Sequence, residues 1–92
     1  MAKARAKHIL VKSKDVCEKL KKDIEAGADF DKIAREHSQC PSGKQGGDLG
    51  EFGPGQMVAE FDTVVFNGEI GKIHGPVKTQ FGYHLIKIVS RS

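Results

Sequence analysis

Residues 38–55 have the sequence SQCPSGKQGGDLGEFGPG, and they set the outline of the whole fold. The six glycines and two prolines of this segment rule out a long helix and indicate turns and short extended pieces. Within it, residues 49–52 predict a short strand, and residues 53–55 predict a turn, since proline fixes one dihedral angle and glycine permits positive φ. The segment therefore separates two different regular regions.

The region before this segment predicts one strand and two helices. Residues 4–12, ARAKHILVK, alternate in polarity and then become β-branched and apolar, which is typical of a strand. Ser13 is a suitable N-cap for a helix over residues 14–26, in which apolar residues recur every three to four positions. Asp29 is the expected N-cap of the second helix.

The region after the segment predicts one helix and a β-hairpin. Residues 58–66 have apolar positions at helical spacing, whereas residues 73–78 and 83–89 read as two strands joined by a turn. The chain is thus expected to form a single α+β domain over residues 1–92, with a small, mostly antiparallel sheet covered by helices.

Composition narrows the class of protein. With 38% hydrophobic and 29% charged residues the chain is expected to be globular, and no apolar run approaches the roughly 18 residues of a membrane span. The N-terminal segment has an apolar core of only Ile9-Leu10-Val11, so it does not predict a signal peptide. Two cysteines without an export signal are expected to be reduced thiols. These features predict a cytoplasmic protein without a membrane partner.

The net charge of +3 is too diffuse to indicate a nucleic-acid partner. The basic residues near the N-terminus are interrupted by apolar ones, and the later lysines are interspersed with Asp and Glu. The sequence contains no aromatic RNA-binding motif, recognition helix or zinc-finger spacing. A solvated surface with a mild excess of positive charge is the interpretation that we favour.

Common catalytic and cofactor motifs are also missing from the sequence. No Cys-x-x-Cys or His-x-x-x-His spacing predicts a metal site, so we expect neither a metal nor another cofactor. The glycines at residues 43–47 lead into a strand rather than a helix, which excludes a phosphate-binding loop. A thiol hydrolase with Cys40 as nucleophile and His8 or His84 as base is conceivable, but no third orienting residue has a recognisable context.

Two histidines are the main candidates for chemistry. His8 and His84 each lie in a predicted strand and alternate with apolar residues on one face. A pair of buried, hydrogen-bonded core histidines would give the same pattern. Met57 and Phe61, four residues apart, are expected on one face of the third helix, as part of either the core or a pocket wall. Cys17 is expected to pack in the core.

Five segments in order resemble one known family, the parvulin peptidyl-prolyl cis/trans isomerases. They are His8-Ile-Leu-Val, Ser38 through Phe52, Gly55-Gln-Met-Val-Ala-Glu-Phe61, Gly75-Pro-Val, and Thr79-Gln-Phe-Gly-Tyr-His-Leu-Ile86. The match extends from about Ala6 to Val89 and is closest to small free-standing bacterial parvulins. The resemblance implies a four-stranded, mostly antiparallel sheet surrounded by about four helices, a parvulin/FKBP-like fold.

The resemblance also implies roles for individual residues. The catalytic set would be His8, Cys40 and His84. The substrate-binding set would be Leu49, Met57 and Phe61 around the proline ring, Thr79 near the histidines, and Phe81 at the rim. Two features depart from the family: Ala59 stands where relatives often have proline, and the Arg-rich loop of phosphate-dependent relatives is missing after the first strand. A phosphate requirement is therefore not expected.

We therefore predict a peptidyl-prolyl isomerase that acts on X-Pro bonds of unfolded or nascent chains, and we expect it to be a monomer. The isomerase is expected to bind the twisted amide in an apolar pocket beside a His/Cys network. Two mechanisms remain open: covalent attack by a Cys40 thiolate, and a hydrogen-bond network that shapes the pocket floor, which we favour. The alternative function is a non-catalytic module or chaperone that binds proline-containing peptides on the same fold.

Overall fold

Four strands form one antiparallel sheet in the computed structural model, which describes residues 3–92. They are β1 (Ala4–Val11), β2 (Asp48–Phe52), β3 (Ile73–Thr79) and β4 (Gly82–Arg91). Their spatial order is β2-β1-β4-β3, so the two longest strands pair at the centre of the sheet. The predicted α+β fold with a four-stranded sheet is confirmed. Residues 1 and 2 of the predicted domain lie outside the described residues.

Across residues 3–92, three α-helices and one short 3₁₀ helix, Pro41–Gln45, accompany the sheet, roughly matching the expected number of about four. The α-helices are α1 (Lys14–Glu25), α2 (Phe30–His37) and α3 (Ala59–Asn67). Both predicted N-caps are in place: Val16 N donates to Ser13 Oγ, and Asp31 N donates to Asp29 Oδ1. Within residues 3–92, every helix is too short or too polar to cross a bilayer.

The sheet separates two hydrophobic cores. Alternate residues of β1 and β4 point to opposite faces, so Ile9 and Leu85 pack with α1 and α2, whereas Ala6 and Ile86 pack with α3. Cys17 is fully buried in the first core, as predicted, and burial raises the pKa of its thiol to about 11. The second core is the one that borders the two histidines.

Arg91 fixes α3 against the end of β4. Its Nη1 donates to the carbonyl oxygens of Val65 at 2.9 Å and Gly68 at 2.8 Å, at the C-terminal end of the helix. A cation is favourable there because the helix dipole leaves partial negative charge on the last carbonyl groups. The helix that carries Phe61 is thereby held in place from its far end.

The start of α3 differs from the sequence prediction. The helix begins at Ala59, with Val58 as an N-cap that makes no side-chain hydrogen bond. Met57 therefore lies in the preceding loop and not on the first turn beside Phe61, because residues 53–56 form a turn in which Gly53 N donates to Gln56 Oε1 and Gly55 N donates to Asp62 Oδ2. Met57 and Phe61 nevertheless line the same pocket.

Candidate active site

His8 and His84 meet at the centre of the sheet. In the β1–β4 register His8 lies opposite Ile86 and Leu10 opposite His84, so the two imidazoles are diagonal neighbours on one face. Their Nδ1 atoms are 3.0 Å apart, and the rings stack with centroids 5.2 Å apart. Both side chains are buried. One Nδ1 must donate and the other accept, which requires different tautomers of the two neutral rings.

The hydrogen-bond chain continues outward from both imidazoles. Thr79 Oγ1 lies 2.7 Å from His84 Nε2, and Ser42 Oγ lies 3.1 Å from His8 Nε2. Ser42 Oγ also donates to Cys40 Sγ at 3.2 Å. A continuous chain therefore runs from Thr79 through both histidines to the thiol.

Sequence reasoning did not identify Ser42 as part of the site. A serine in a Gly-rich segment is an ordinary turn residue. Ser42 lies in the first turn of the 3₁₀ helix, two residues after the N-cap Cys40, and no sequence pattern links the two side chains. Only the fold places its hydroxyl between sulfur and imidazole.

The segment that carries Cys40 is attached directly to β1. Gln39 N donates to Leu10 O at 2.8 Å, and His8 N donates to Gly47 O at 3.0 Å. Gly47 has φ of 84°, and a Cβ at this position would lie 2.3 Å from His8 O. Only glycine permits this close approach, which sets the 3₁₀ helix beside the histidines.

Burial keeps both imidazoles neutral near pH 7. It lowers the pKa of His8 from 6.5 to about 4, with a further contribution from His84. Burial also lowers the pKa of His84, against the opposing effect of Glu60. The site is therefore a network of neutral dipoles without an imidazolium.

An apolar pocket of about 370 Å³ opens beside this network. Its lining residues are His8, Leu10, Gln39, Cys40, Pro41, Leu49, Met57, Val58, Phe61, Phe81 and His84. The rings of Phe61 and His8 are nearly perpendicular, with centroids 5.6 Å apart, and Phe81 is 56% exposed at the rim. The pocket thus brings together predicted residues from four separate chain segments.

Comparison with known proteins identifies the family. Residues 3–90 match the family model described as the PPIC-type PPIase domain of the rotamases. The chain belongs to the parvulin family of peptidyl-prolyl cis/trans isomerases. The chain is 47% identical over 90 residues to the foldase protein PrsA of Geobacillus kaustophilus, and this alignment covers 97% of this chain and 32% of that protein.

Solved structures give the same assignment. The peptidylprolyl isomerase PrsA of Bacillus anthracis superposes with a TM-score of 0.96 at 38% identity, covering 99% of this chain and 42% of that one. NmPin, the parvulin of Nitrosopumilus maritimus, superposes with a TM-score of 0.88 at 34% identity, covering 98% of both chains. This parvulin domain therefore spans about a third of the curated foldase but nearly all of a small parvulin.

Thr79 occupies a different position from the other residues of the predicted substrate-binding set. It is buried, hydrogen-bonds to His84 and does not line the pocket of the parvulin domain. Its Oγ1 also accepts from Phe81 N at 3.2 Å. Thr79 therefore connects the rim residue to the histidine pair.

The remaining histidines lie apart from the parvulin site. His37 is exposed at the end of α2, and His74 Nε2 lies 2.9 Å from Glu69 O. Over residues 3–92, His, Cys, Asp and Glu side chains form no group of three that could hold a metal ion. The two central histidines are the ones that the fold brings to the pocket.

Proposed function

We propose that this domain accelerates rotation about X-Pro bonds in unfolded or nascent polypeptides by binding the proline ring in the apolar pocket. The observation that carries the proposal is the position of that pocket against two neutral, hydrogen-bonded imidazoles. Leu49, Met57 and Phe61 would hold the ring while the preceding carbonyl turns.

The physics of the reaction favours such a pocket. Rotation breaks amide resonance and meets a barrier of about 18–20 kcal/mol. The twisted amide has less charge separation than the planar form, so transfer into an apolar site costs less free energy for the twisted amide than for the planar one. An acceleration of about a thousandfold requires only about 4 kcal/mol of preference for the twisted form. No bond has to form or break.

The hydrogen-bond network is the mechanism that we favour over covalent attack. A thiolate needs a nearby cation, but burial keeps His8 and His84 neutral. Cys40 Sγ accepts its hydrogen bond from the Ser42 hydroxyl, and Ser42 rather than Cys40 bonds to His8. In the network mechanism these groups support one another and hold the pocket floor in a fixed arrangement.

Selectivity for phosphorylated substrates is not part of the proposal. Only residues 12–13 separate β1 from α1, which leaves no room for a long cationic loop. In the described part of the chain, none of the residues that line the pocket is Lys or Arg. A phosphate beside the proline would therefore lack the bidentate partners that bind it tightly.

The turnover test uses tetrapeptides with Ser, phosphoserine or Glu before proline. We expect exchange NMR to detect accelerated interconversion at catalytic protein concentrations, with kcat/KM for the three peptides within about tenfold of one another. Absence of acceleration would leave the non-catalytic peptide-binding alternative, and a large preference for phosphoserine would contradict the missing-loop argument. Cleaved product in the same samples would indicate a hydrolase instead.

Replacement of Cys40 separates the two mechanisms. We expect Cys40→Ser to retain kcat/KM within about tenfold, because a serine oxygen can still accept the Ser42 hydrogen bond. Covalent attack predicts that kcat/KM falls at least about a thousandfold, since a serine hydroxyl is a far weaker nucleophile than a cysteine thiolate at neutral pH. Equal unfolding midpoints for the variant and the original protein are the control for intact folding.

We also propose a monomeric, cytoplasmic protein whose partners are polypeptide chains. The relatives named foldase suggest that the activity serves protein folding. Light scattering on the purified chain tests the oligomeric state, and cell fractionation tests the location.

A further inference from the structure

The loop between β2 and α3 is closed by a carboxylate. Asp62, in the first turn of α3, accepts a hydrogen bond from Gly55 N through Oδ2 at 2.8 Å. Its other oxygen, Oδ1, is buried and has no hydrogen-bond partner within residues 3–92. A negative charge is favourable at this end of a helix, particularly since Val58 provides no side-chain cap.

The closed loop carries one wall of the pocket. Met57 and Val58 follow Gly55 by two and three residues, and both line the pocket. A second hydrogen bond within the loop, from Gly53 N to Gln56 Oε1 at 2.8 Å, completes a tight turn. Methionine has three rotatable side-chain bonds, so the backbone that carries it largely decides where its thioether lies.

We propose that Asp62 is a positioning residue for prolyl binding: its carboxylate fastens residues 53–57 to α3 and so sets Met57 opposite the other pocket walls. Because Asp62 follows Phe61 directly, one short helical segment fixes two walls of the pocket relative to each other. This inference rests on the proposed isomerase function. It adds a residue that does not itself line the pocket.

The expected effect is on substrate binding rather than on turnover. Met57 would contact the proline ring in planar and twisted states alike, so a loose loop weakens binding of both. Asp62→Ala is expected to raise KM about tenfold while kcat stays within about twofold, the effect of losing one charge-assisted hydrogen bond. Asp62→Asn retains an acceptor for Gly55 N and is expected to stay within about threefold in KM.

A double-mutant cycle on kcat/KM with Met57→Ala tests whether Asp62 acts through that side chain. In the Met57→Ala background, Asp62→Ala is expected to change kcat/KM by no more than about twofold. The proposal would be overturned if Asp62→Ala lowered kcat/KM by the same factor with and without Met57→Ala. It would also be overturned if Asp62→Asn were as impaired as Asp62→Ala. Should the alanine variant not fold, Asp62→Ser, which is too short to reach Gly55, replaces it in the cycle.

Thr63→Ala is the matched control. Thr63 lies next to Asp62 on α3 and is exposed, and its hydroxyl donates a local hydrogen bond to Ala59 O within the helix. Its replacement is expected to leave KM and kcat unchanged, and a tenfold rise in KM would overturn the specific role of Asp62. Inactivity of the original protein would refute the proposed function, whereas additive mutant effects on an active protein would refute this inference alone.

Discussion

Phe61→Ala is expected to lower the free energy of unfolding by about 3–5 kcal/mol, the usual cost of removing a buried phenyl ring. Phe61 is 2% exposed, and its ring packs nearly perpendicular to both imidazoles, with its centroid 5.6 Å from that of His8 and 5.9 Å from that of His84. It also contacts Phe52 in the second core. Urea unfolding measures this loss directly.

Activity is best tested with the milder Phe61→Leu variant. Leucine keeps an apolar side chain but removes the aromatic surface that contacts the histidines, and kcat/KM is expected to fall at least about tenfold. Phe66→Leu is the matched control, because Phe66 lies on the same helix and packs against Phe52 without lining the pocket. Equal losses of kcat/KM in the two variants would contradict a specific role of Phe61.

Acidification is expected to remove a large part of the stability. An imidazole in the unfolded chain titrates near pH ~6.5, whereas burial holds the pKa of His8 in the folded chain at about 4. Between these values the unfolded chain binds a proton that the folded chain does not. The contribution of His8 to the free energy of unfolding is thus complete above about pH 6.5 and declines as the pH falls toward 4. The total loss is on the order of 3 kcal/mol. His84 acts in the same direction.

Urea unfolding between pH 7 and pH 4.5 tests this dependence. His8→Asn removes one of the two buried imidazoles and is expected to flatten the pH profile of the free energy of unfolding. His37→Gln, at an exposed position, is expected to leave this profile unchanged. A stability that does not change across this range would contradict the prediction. If His8→Asn does not fold, NMR titration of the imidazole resonances in the original protein gives both pKa values directly.

Local patterns predicted most of the regular structure. Ser13 and Asp29 begin their helices as expected, because capping depends only on neighbouring backbone groups. The strands begin and end within a few residues of the predicted positions. The start of α3 was misplaced, since the periodicity of its apolar residues continues into the loop that carries Met57.

The candidate site was predictable only in part. The alternation of apolar residues placed His8 and His84 on buried faces, and the family resemblance added Cys40 and the pocket residues. Neither indicated Ser42 or Asp62, whose contacts join segments that are not part of one regular element. Polar turn residues of this kind look the same in sequence whether or not they support a site.

Local sequence patterns suffice to predict the order of strands and helices, the caps and the apolar faces, because each depends on residues within a few positions of one another. The 3.0 Å distance between the Nδ1 atoms of two histidines that are 76 residues apart in sequence depends instead on how the strands assemble. That distance follows from the register of β1 against β4, and a shift of one residue would turn His84 to the opposite face. Register depends on packing across the whole sheet, which no local pattern specifies.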